Sequence, residues 1–443
     1  MQINTPFFQC VLHSAIRNVK TRNPHPEPMN TITLPQLPWH ETKELKLNLP
    51  DDWQVEFYHM NGGGRPPLKQ SDIKTAITHP IATAPLRELA RGKSEVVIIF
   101  DDMTRVTRAE KIVPFLLEEL SEAGIPDDKI RFVCALGCHG ALNRLDFVKK
   151  LGETIVDRFP VYNHNAFAHC TYVGTTRTYG TRLYLNEEVM KCDLKIAIGL
   201  AAPHPATGFG GGGKIILPGV ASFETAEHNH RAAMKDALAH QDNPVIGMGI
   251  FDKNPMRHDC EEAARLAGLD ILINCVVNMW GETVALFAGD PEAAYAEAVS
   301  EAKKHYHTRP AHGENIVIAN TFTKANEAIA VGLGAAFKAA YPQSGDVVLI
   351  ANAPDGQVTH YLLGAFGNAP AGEMSFQVKV PLHINRVCIF SEYTDLAGQN
   401  YIEESDKVFF TDKWDEVIKT LQASNNRDPK VAIYPSADIQ YSS

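Results

Sequence analysis

A chain of 443 residues with 44% hydrophobic and 21% charged residues has the composition of an ordinary globular protein, long enough for two sizeable cores. Its formal net charge of −10 speaks against a general partnership with nucleic acid or an anionic membrane surface. No apolar run reaches the roughly 18 residues of a membrane-spanning helix. The eight cysteines follow neither disulfide-framework nor zinc-site spacing, which predicts reduced thiols in a cytoplasmic protein.

Residues 1–40 read as a flexible N-terminal extension. It lacks a signal-peptide core, and Met29 is a candidate start. From residue 41 the pattern becomes regular. KLNLP and VEFYHM read as short strands. EVVIIF (Glu95 to Phe100) is a continuous apolar run, as expected of a parallel strand buried on both faces. The helix EKIVPFLLEELSEAG, the strand KIRFVCALG and a further helix follow. This rhythm predicts an α/β fold with a mainly parallel sheet. NPMRHDCEEAARLAG is a well-punctuated helix: Asn254 caps it, Pro255 takes its first position and Gly268 ends it. ILINCVVNMWGETVALFAG reads as two strands with a short turn. After Asp290-Pro291 the α/β rhythm resumes through ENIVIAN, DVVLIANAP, RVCIF and KVAIYP, interrupted by a polar insertion around 357–382. We therefore expect two α/β domains, 41–290 and 291–443. Ligands of such sheets sit beyond the carboxyl ends of the strands, where DDMTR and LGCHG both fall, and the active site is expected in the inter-domain cleft.

The stretch Ala202 to His230, APHPATGFGGGGKIILPGVASFETAEHNH, carries the densest chemistry. A run of four glycines ends in Lys214. Glycines let the backbone approach a ligand closely, and consecutive amides can form an anion nest. The lysine adds a point charge or a covalent attachment point. Gly208 to Lys214 also fits the phosphate-loop pattern G-x-x-x-x-G-K, but Ile215 stands where that loop needs Ser or Thr for magnesium. Ser222 is an N-cap residue for a following helix, which puts His230 about two turns into it.

The string PH-x-x-x-GF-x-GG-x-K-x-x-x-PG, followed by NH, resembles the core of the lactate racemase family, and the resemblance runs over most of the chain. It implies a racemase or epimerase that inverts C2 of a 2-hydroxy acid by hydride transfer to a nickel-pincer nucleotide. Lys214 matches the lysine that joins the cofactor, and His230 matches the protein ligand to nickel. The segment DDMTR resembles the family's D-x-T-R. That resemblance implies cofactor-pocket roles for Asp102 and Thr104 and a substrate-binding role for Arg105. His139 of LGCHG and His204 match the two general acid–base residues, and Lys324 of NTFTK matches a second substrate-binding cation. Gly211, Gly212 and Gly213 would meet the cofactor. The implied partners are a small 2-hydroxy acid and cofactor-maturation enzymes; nucleic acid and membrane are not expected, and homo-oligomerisation is left open.

The chemistry is self-consistent. The C2 hydrogen of a 2-hydroxy acid is poorly acidic; its removal as hydride passes through a flat keto acid. Two bases with pKa near the working pH are then needed, a role that suits histidine. Cations must hold the carboxylate and the developing oxygen charge. A single imidazole beside two sulfurs and a carbon would suit near-square-planar Ni(II). The sequence departs from the family at Cys138 and Gly140, where Thr and Arg are usual, and at Gly210, where Ser is usual. The first two predict a substrate pocket unlike that for lactate. His164, His169 and His228 are expected to be structural. Two rival readings are a nucleotide-dependent transferase using the glycine loop and a non-catalytic small-molecule-binding homologue.

Overall fold

The computed structural model describes residues 30–311, 314–340, 345–363, 377–425 and 428–442. Most of the expected extension (residues 1–29) and part of the polar insertion (364–376) lie outside them.

Two six-stranded sheets carry the chain. In the first, the spatial order is Thr283–Gly289, Ile271–Val277, Leu194–Leu200, Val96–Asp101, Ile130–Ala135, Val161–Asn163. All neighbours are parallel except the antiparallel pair Ile271–Val277 and Thr283–Gly289. The central strands are buried along their whole length, which is why they read as unbroken apolar runs. The chain moves outward from Val96–Asp101 to Val161–Asn163, then returns to the opposite side of Val96–Asp101 with Leu194–Leu200. That reversal is a topological switch point, where the loops beyond the two central strands diverge and leave a crevice.

The second sheet is wholly parallel, in the order Val408–Thr411, Ile384–Phe390, Gly345–Ile350, Ile316–Asn320, Lys430–Tyr434, Gln54–Phe57. Its edge strand comes from the N-terminal part of the chain. The strands Thr31–Gln36 and Lys43–Asn48 pair with each other and bury Ile32, Leu34 and Leu47 against the same sheet. The segment 31–57 thus packs with the C-terminal half, and the paired strand Thr31–Gln36 falls inside the stretch read as a flexible extension.

Local punctuation follows the sequence. Asn254 Oδ1 accepts from Arg257 N, and Gly268 ends that helix with a left-handed φ of 66°. Ser222 Oγ accepts from Thr225 N at the start of Phe223–Ala239. The seven described cysteines are unpaired thiols. No helix among the described residues is long and apolar enough to cross a membrane.

Candidate active site

A cavity of about 280 Å³ opens at the carboxyl ends of the first sheet's strands. Its wall takes Asp102, Thr104 and Arg105 from beyond Val96–Asp101, and His139 from beyond Ile130–Ala135. His204, Gly211 and Lys214 come from beyond Leu194–Leu200, and His230 from the helix Phe223–Ala239. The opposite wall comes from the C-terminal half: Glu327, Val331, Gln357, His360 and Tyr401. Eight of the side chains and glycines singled out from sequence therefore share one cavity (Asp102, Thr104, Arg105, His139, His204, Gly211, Lys214, His230).

The two candidate acid–base histidines are held in opposite ways. His139 Nδ1 lies 2.5 Å from Asp102 Oδ2. A carboxylate only accepts, so Nδ1 carries the proton and Nε2 keeps a lone pair. Asp102 is itself fixed by the amide and hydroxyl of Thr104. Burial alone would raise its carboxyl, but His139, Arg105 and Thr104 hold it below the usual range. His204 is the reverse. Its Nδ1 accepts from the amides of Ala206 and Thr207, each at 3.2 Å, so the neutral ring carries its proton on Nε2. Burial, with Lys214 and Arg105 nearby, holds its pKa well below the ordinary histidine value. One imidazole therefore presents a lone pair at Nε2 and the other a hydrogen-bond-donating N–H. The tie between Asp102 and His139 was not part of the sequence reading.

Lys214 and His230 suit covalent and metal attachment respectively. Burial, with the charge of Arg105, lowers the Lys214 amine to about 8, which makes a neutral, nucleophilic form available near neutrality. His230 Nδ1 lies 2.7 Å from the carbonyl of Ala226. That bond places the proton on Nδ1 and leaves Nε2 as a lone-pair donor, as in metal-ligating histidines whose other nitrogen donates to a carbonyl or carboxylate. Burial and Lys214 take its pKa down to about 4, so protons compete little for that nitrogen. Among the described residues no group of three or more His, Cys, Asp and Glu side chains could hold a metal; a metal carried by an organic ligand needs only one imidazole. From the depressed amine we expect Lys214 to carbamylate with cyanate at pH 8 ahead of the exposed lysines. At that pH it holds on the order of a hundredfold more neutral amine than they do. Peptide mass mapping reads the site; labelling of Lys214 no faster than the bulk would contradict the assignment.

Three expected contacts fall elsewhere. Gly212 and Gly213 do not line the cavity. Their amides point inward, Gly212 N to Asn274 Oδ1 at 3.2 Å and Gly213 N to the Glu261 carboxylate at 3.0 Å, and Lys214 N bonds to Gly211 O. Those amides are therefore committed to the fold and do not cradle a phosphate, which removes the main support for the nucleotide-transferase alternative. Gly211 does reach the wall. It sits at φ 72°, and a Cβ there would come within 2.4 Å of Asn274 Oδ1, so only glycine fits. Lys324 is 1% exposed and lies behind the wall. Its Nζ donates to Pro203 O at 2.8 Å, which fixes the residue before His204, and burial with Arg105 nearby brings its amine down to about 7. It supports the site and does not face the cavity.

The glycine loop is clamped from behind. Arg257, 1% exposed, donates to the carbonyls of Gly211 (3.0 Å), Thr207 (3.4 Å) and Phe209, and pairs with Glu261 at 2.8 Å. Tyr295 OH donates to Gly210 O at 3.0 Å. Lys150 pairs with Asp101 at 2.6 Å and donates to Arg105 O at 2.9 Å, which holds the arginine loop. His164 bonds to Ala221 O and Asn186, away from the cavity, in the structural role expected of it.

Glu327 and His360 are cavity residues that sequence reasoning missed. Glu327 stands three residues after Lys324, outside any motif. His360 lies in the polar insertion, outside any motif. The departure at Gly140 has a structural counterpart here: Gly140 N donates to Thr359 O at 2.9 Å, and a Cβ at 140 would lie 3.4 Å from Thr359 Cβ. A long side chain at that position would meet the Thr359–His360 segment.

The fold and cavity define an α/β protein with four imidazoles, a neutralisable amine and a guanidinium at a switch-point crevice. Residues 40–242 match the family model of the lactate racemase N-terminal domain. The chain is 31% identical over 273 residues to the lactate racemase of Thermoanaerobacterium thermosaccharolyticum, covering 60% of this chain and 62% of that protein. It is 33% identical over 228 residues to the lactate racemase of Lactiplantibacillus plantarum, covering 51% and 52%. The chain thus spans about half to three fifths of the length of the curated relatives it matches. The solved lactate racemase apoprotein from T. thermosaccharolyticum superposes with a TM-score of 0.71 at 22% identity, over 93% of this chain and all of that one. A Thermotoga maritima protein superposes with a TM-score of 0.62 at 19% identity, over 85% and 98%. The N-terminal half of the chain is thus similar to the lactate racemases, and the fold of the chain is that of the T. thermosaccharolyticum apoprotein.

Proposed function

We propose that this protein is a racemase or epimerase of 2-hydroxy acids that works with a nickel-pincer nucleotide. The observation that carries this reading is the convergence of Arg105, His139, His204, Lys214 and His230 on one cavity. The residues fit the cofactor: the Lys214 amine is available for the covalent link, and His230 Nε2 for the metal. When bound, the cofactor supplies an acceptor that takes the C2 hydrogen with its electron pair and returns it to either face of the planar keto acid.

The protein's own residues do the rest. Arg105 holds the substrate carboxylate through a planar guanidinium, a charge-assisted contact. His139, oriented by Asp102, takes the hydroxyl proton at Nε2. His204 donates a hydrogen bond from Nε2–H to the substrate oxygen and steadies the charge that develops there; when the hydrogen returns to the opposite face, the keto oxygen recovers the proton held by His139. Pro205, Ala206 and Leu200 add apolar wall that limits water. The reading includes a domain division near residue 290, with the strand Gln54–Phe57 assigned to the C-terminal unit, and the cavity as the cleft between the two.

The test is intact-mass spectrometry and metal analysis on protein from a cofactor-producing host, followed by a panel of 2-hydroxy acids. A mass adduct on Lys214 with one nickel per chain is expected. Lys214→Ala and His230→Ala are expected to abolish turnover while the circular dichroism spectrum persists; undiminished turnover in either variant refutes the mechanism.

A further inference from the structure

A carboxylate already stands between the two groups that would receive the substrate. Glu327 Oε2 lies 2.6 Å from Arg105 Nη1, and Oε1 lies 3.6 Å from His139 Nε2. Burial opposes its ionisation, but Arg105, His139 and Lys324 hold its pKa below the ordinary glutamate value, so it is charged. All three hydrogen bonds of the Arg105 guanidinium, to Thr104 O, Thr104 Oγ and Glu327, leave from Nη1. The guanidinium's other edge therefore remains for a substrate carboxylate, and Glu327 would then lie beside the substrate's carbon chain.

The rest of the wall agrees. The charged residues lining the cavity are Asp101, Asp102 and Glu327 against Arg105 and Lys214. Such a lining offers no surplus cation for a second acid group. His360, on the same wall as Glu327, packs edge-on against His139, with ring centroids 4.7 Å apart. Its Nδ1 accepts from Leu362 N at 3.3 Å, so the neutral ring carries its proton on Nε2 and is a donor. The pairing of Gly140 with Thr359, and of Tyr361 N with Cys138 O, holds His360 beside the His139 loop.

We propose that Glu327 determines specificity: it accepts a hydrogen bond from a hydroxyl beyond C2, with His360 as the complementary donor, and it excludes dicarboxylates. The preferred substrates are then polyhydroxy monocarboxylic acids. The inference rests on the functional reading above for the existence of a 2-hydroxy acid site. A site built around a charged acceptor discriminates against a ligand that lacks the matching donor, because Oε1, the oxygen not held by Arg105, is then left desolvated without a hydrogen bond.

The probes are lactate, glycerate (lactate with one added hydroxyl) and malate (with one added carboxylate). Binding to the full chain, with and without cofactor loading, is measured by calorimetry, and turnover by chiral chromatography. The wild type should prefer glycerate to lactate by roughly 10- to 100-fold in affinity, the range of a hydrogen bond to a charged group, and bind malate weakest. Glu327→Gln should erase most of the glycerate preference and improve malate binding. Glu327→Asp, which keeps the charge one methylene further back, should fall between and serves as the control for folding. Equal affinity for lactate and glycerate in the wild type, or an unchanged preference in Glu327→Gln, overturns the proposal. Failure of the loaded protein to epimerise any acid, with the expected binding pattern intact, overturns the functional reading instead and leaves Glu327's role standing.

Discussion

Substituting Asn for His139 is expected to slow epimerisation by about 10²–10⁴-fold, the usual contribution of a positioned general base. The loss will appear in both directions, since the equilibrium constant fixes the ratio of kcat/KM for the two enantiomers or epimers. The argument lies in the tautomer. Asp102 anchors Nδ1–H at 2.5 Å, so Nε2 is the nitrogen that can take the hydroxyl proton. Asp102→Asn should therefore be nearly as damaging with the ring still in place. An amide can present its NH₂ to Nδ1, which drives the ring proton to Nε2 and turns the base into a donor. His204→Asn should lose a comparable factor for the opposite reason, because the donor Nε2–H is gone. Chiral chromatography of the product from each pure enantiomer is the measurement. Rates within a few-fold of wild type in any of the three would sink the two-imidazole assignment.

Arg257→Met should destabilise the fold by about 3–5 kcal/mol, the range for removing one partner of a buried ion pair. Arg257 never touches the cavity; its guanidinium satisfies Glu261 and the carbonyls of Thr207, Phe209 and Gly211. Methionine matches much of its volume but donates nothing, so several buried acceptors lose their partner together. Glu261 in turn holds Gly213 N, so the loss spreads along the glycine loop to Lys214. A lower urea midpoint should therefore come with loss of the selective carbamylation of Lys214. A midpoint unchanged from wild type would show that the clamp is not what holds the loop.

The sequence by itself carried the local grammar and the chemistry tied to it. Unbroken apolar runs gave the buried parallel strands, since a strand covered on both faces has no polar side to show. Asn254, Ser222 and Gly268 marked helix ends because a cap bond or a left-handed φ is a requirement of a few neighbouring residues. The spacing of His204, Lys214 and His230 could be read because one loop and one helix carry all three.

Tertiary structure alone decided what those residues face. Gly212 and Gly213 lie in the same motif as Gly211, yet only Gly211 reaches the cavity, because Asn274 and Glu261 from distant elements claim the other two amides. Lys324 and Glu327 are three residues apart, and the packing turns the lysine toward Pro203 behind the wall and the glutamate onto Arg105 and His139. His360 belongs to no motif and enters the site only because its segment bridges to the His139 loop. The same holds for the edge strand Gln54–Phe57, whose partner lies at the far end of the chain. Sequence periodicity reports which residues are buried, but the direction of a buried polar group is set by whichever partner, near or far along the chain, satisfies it.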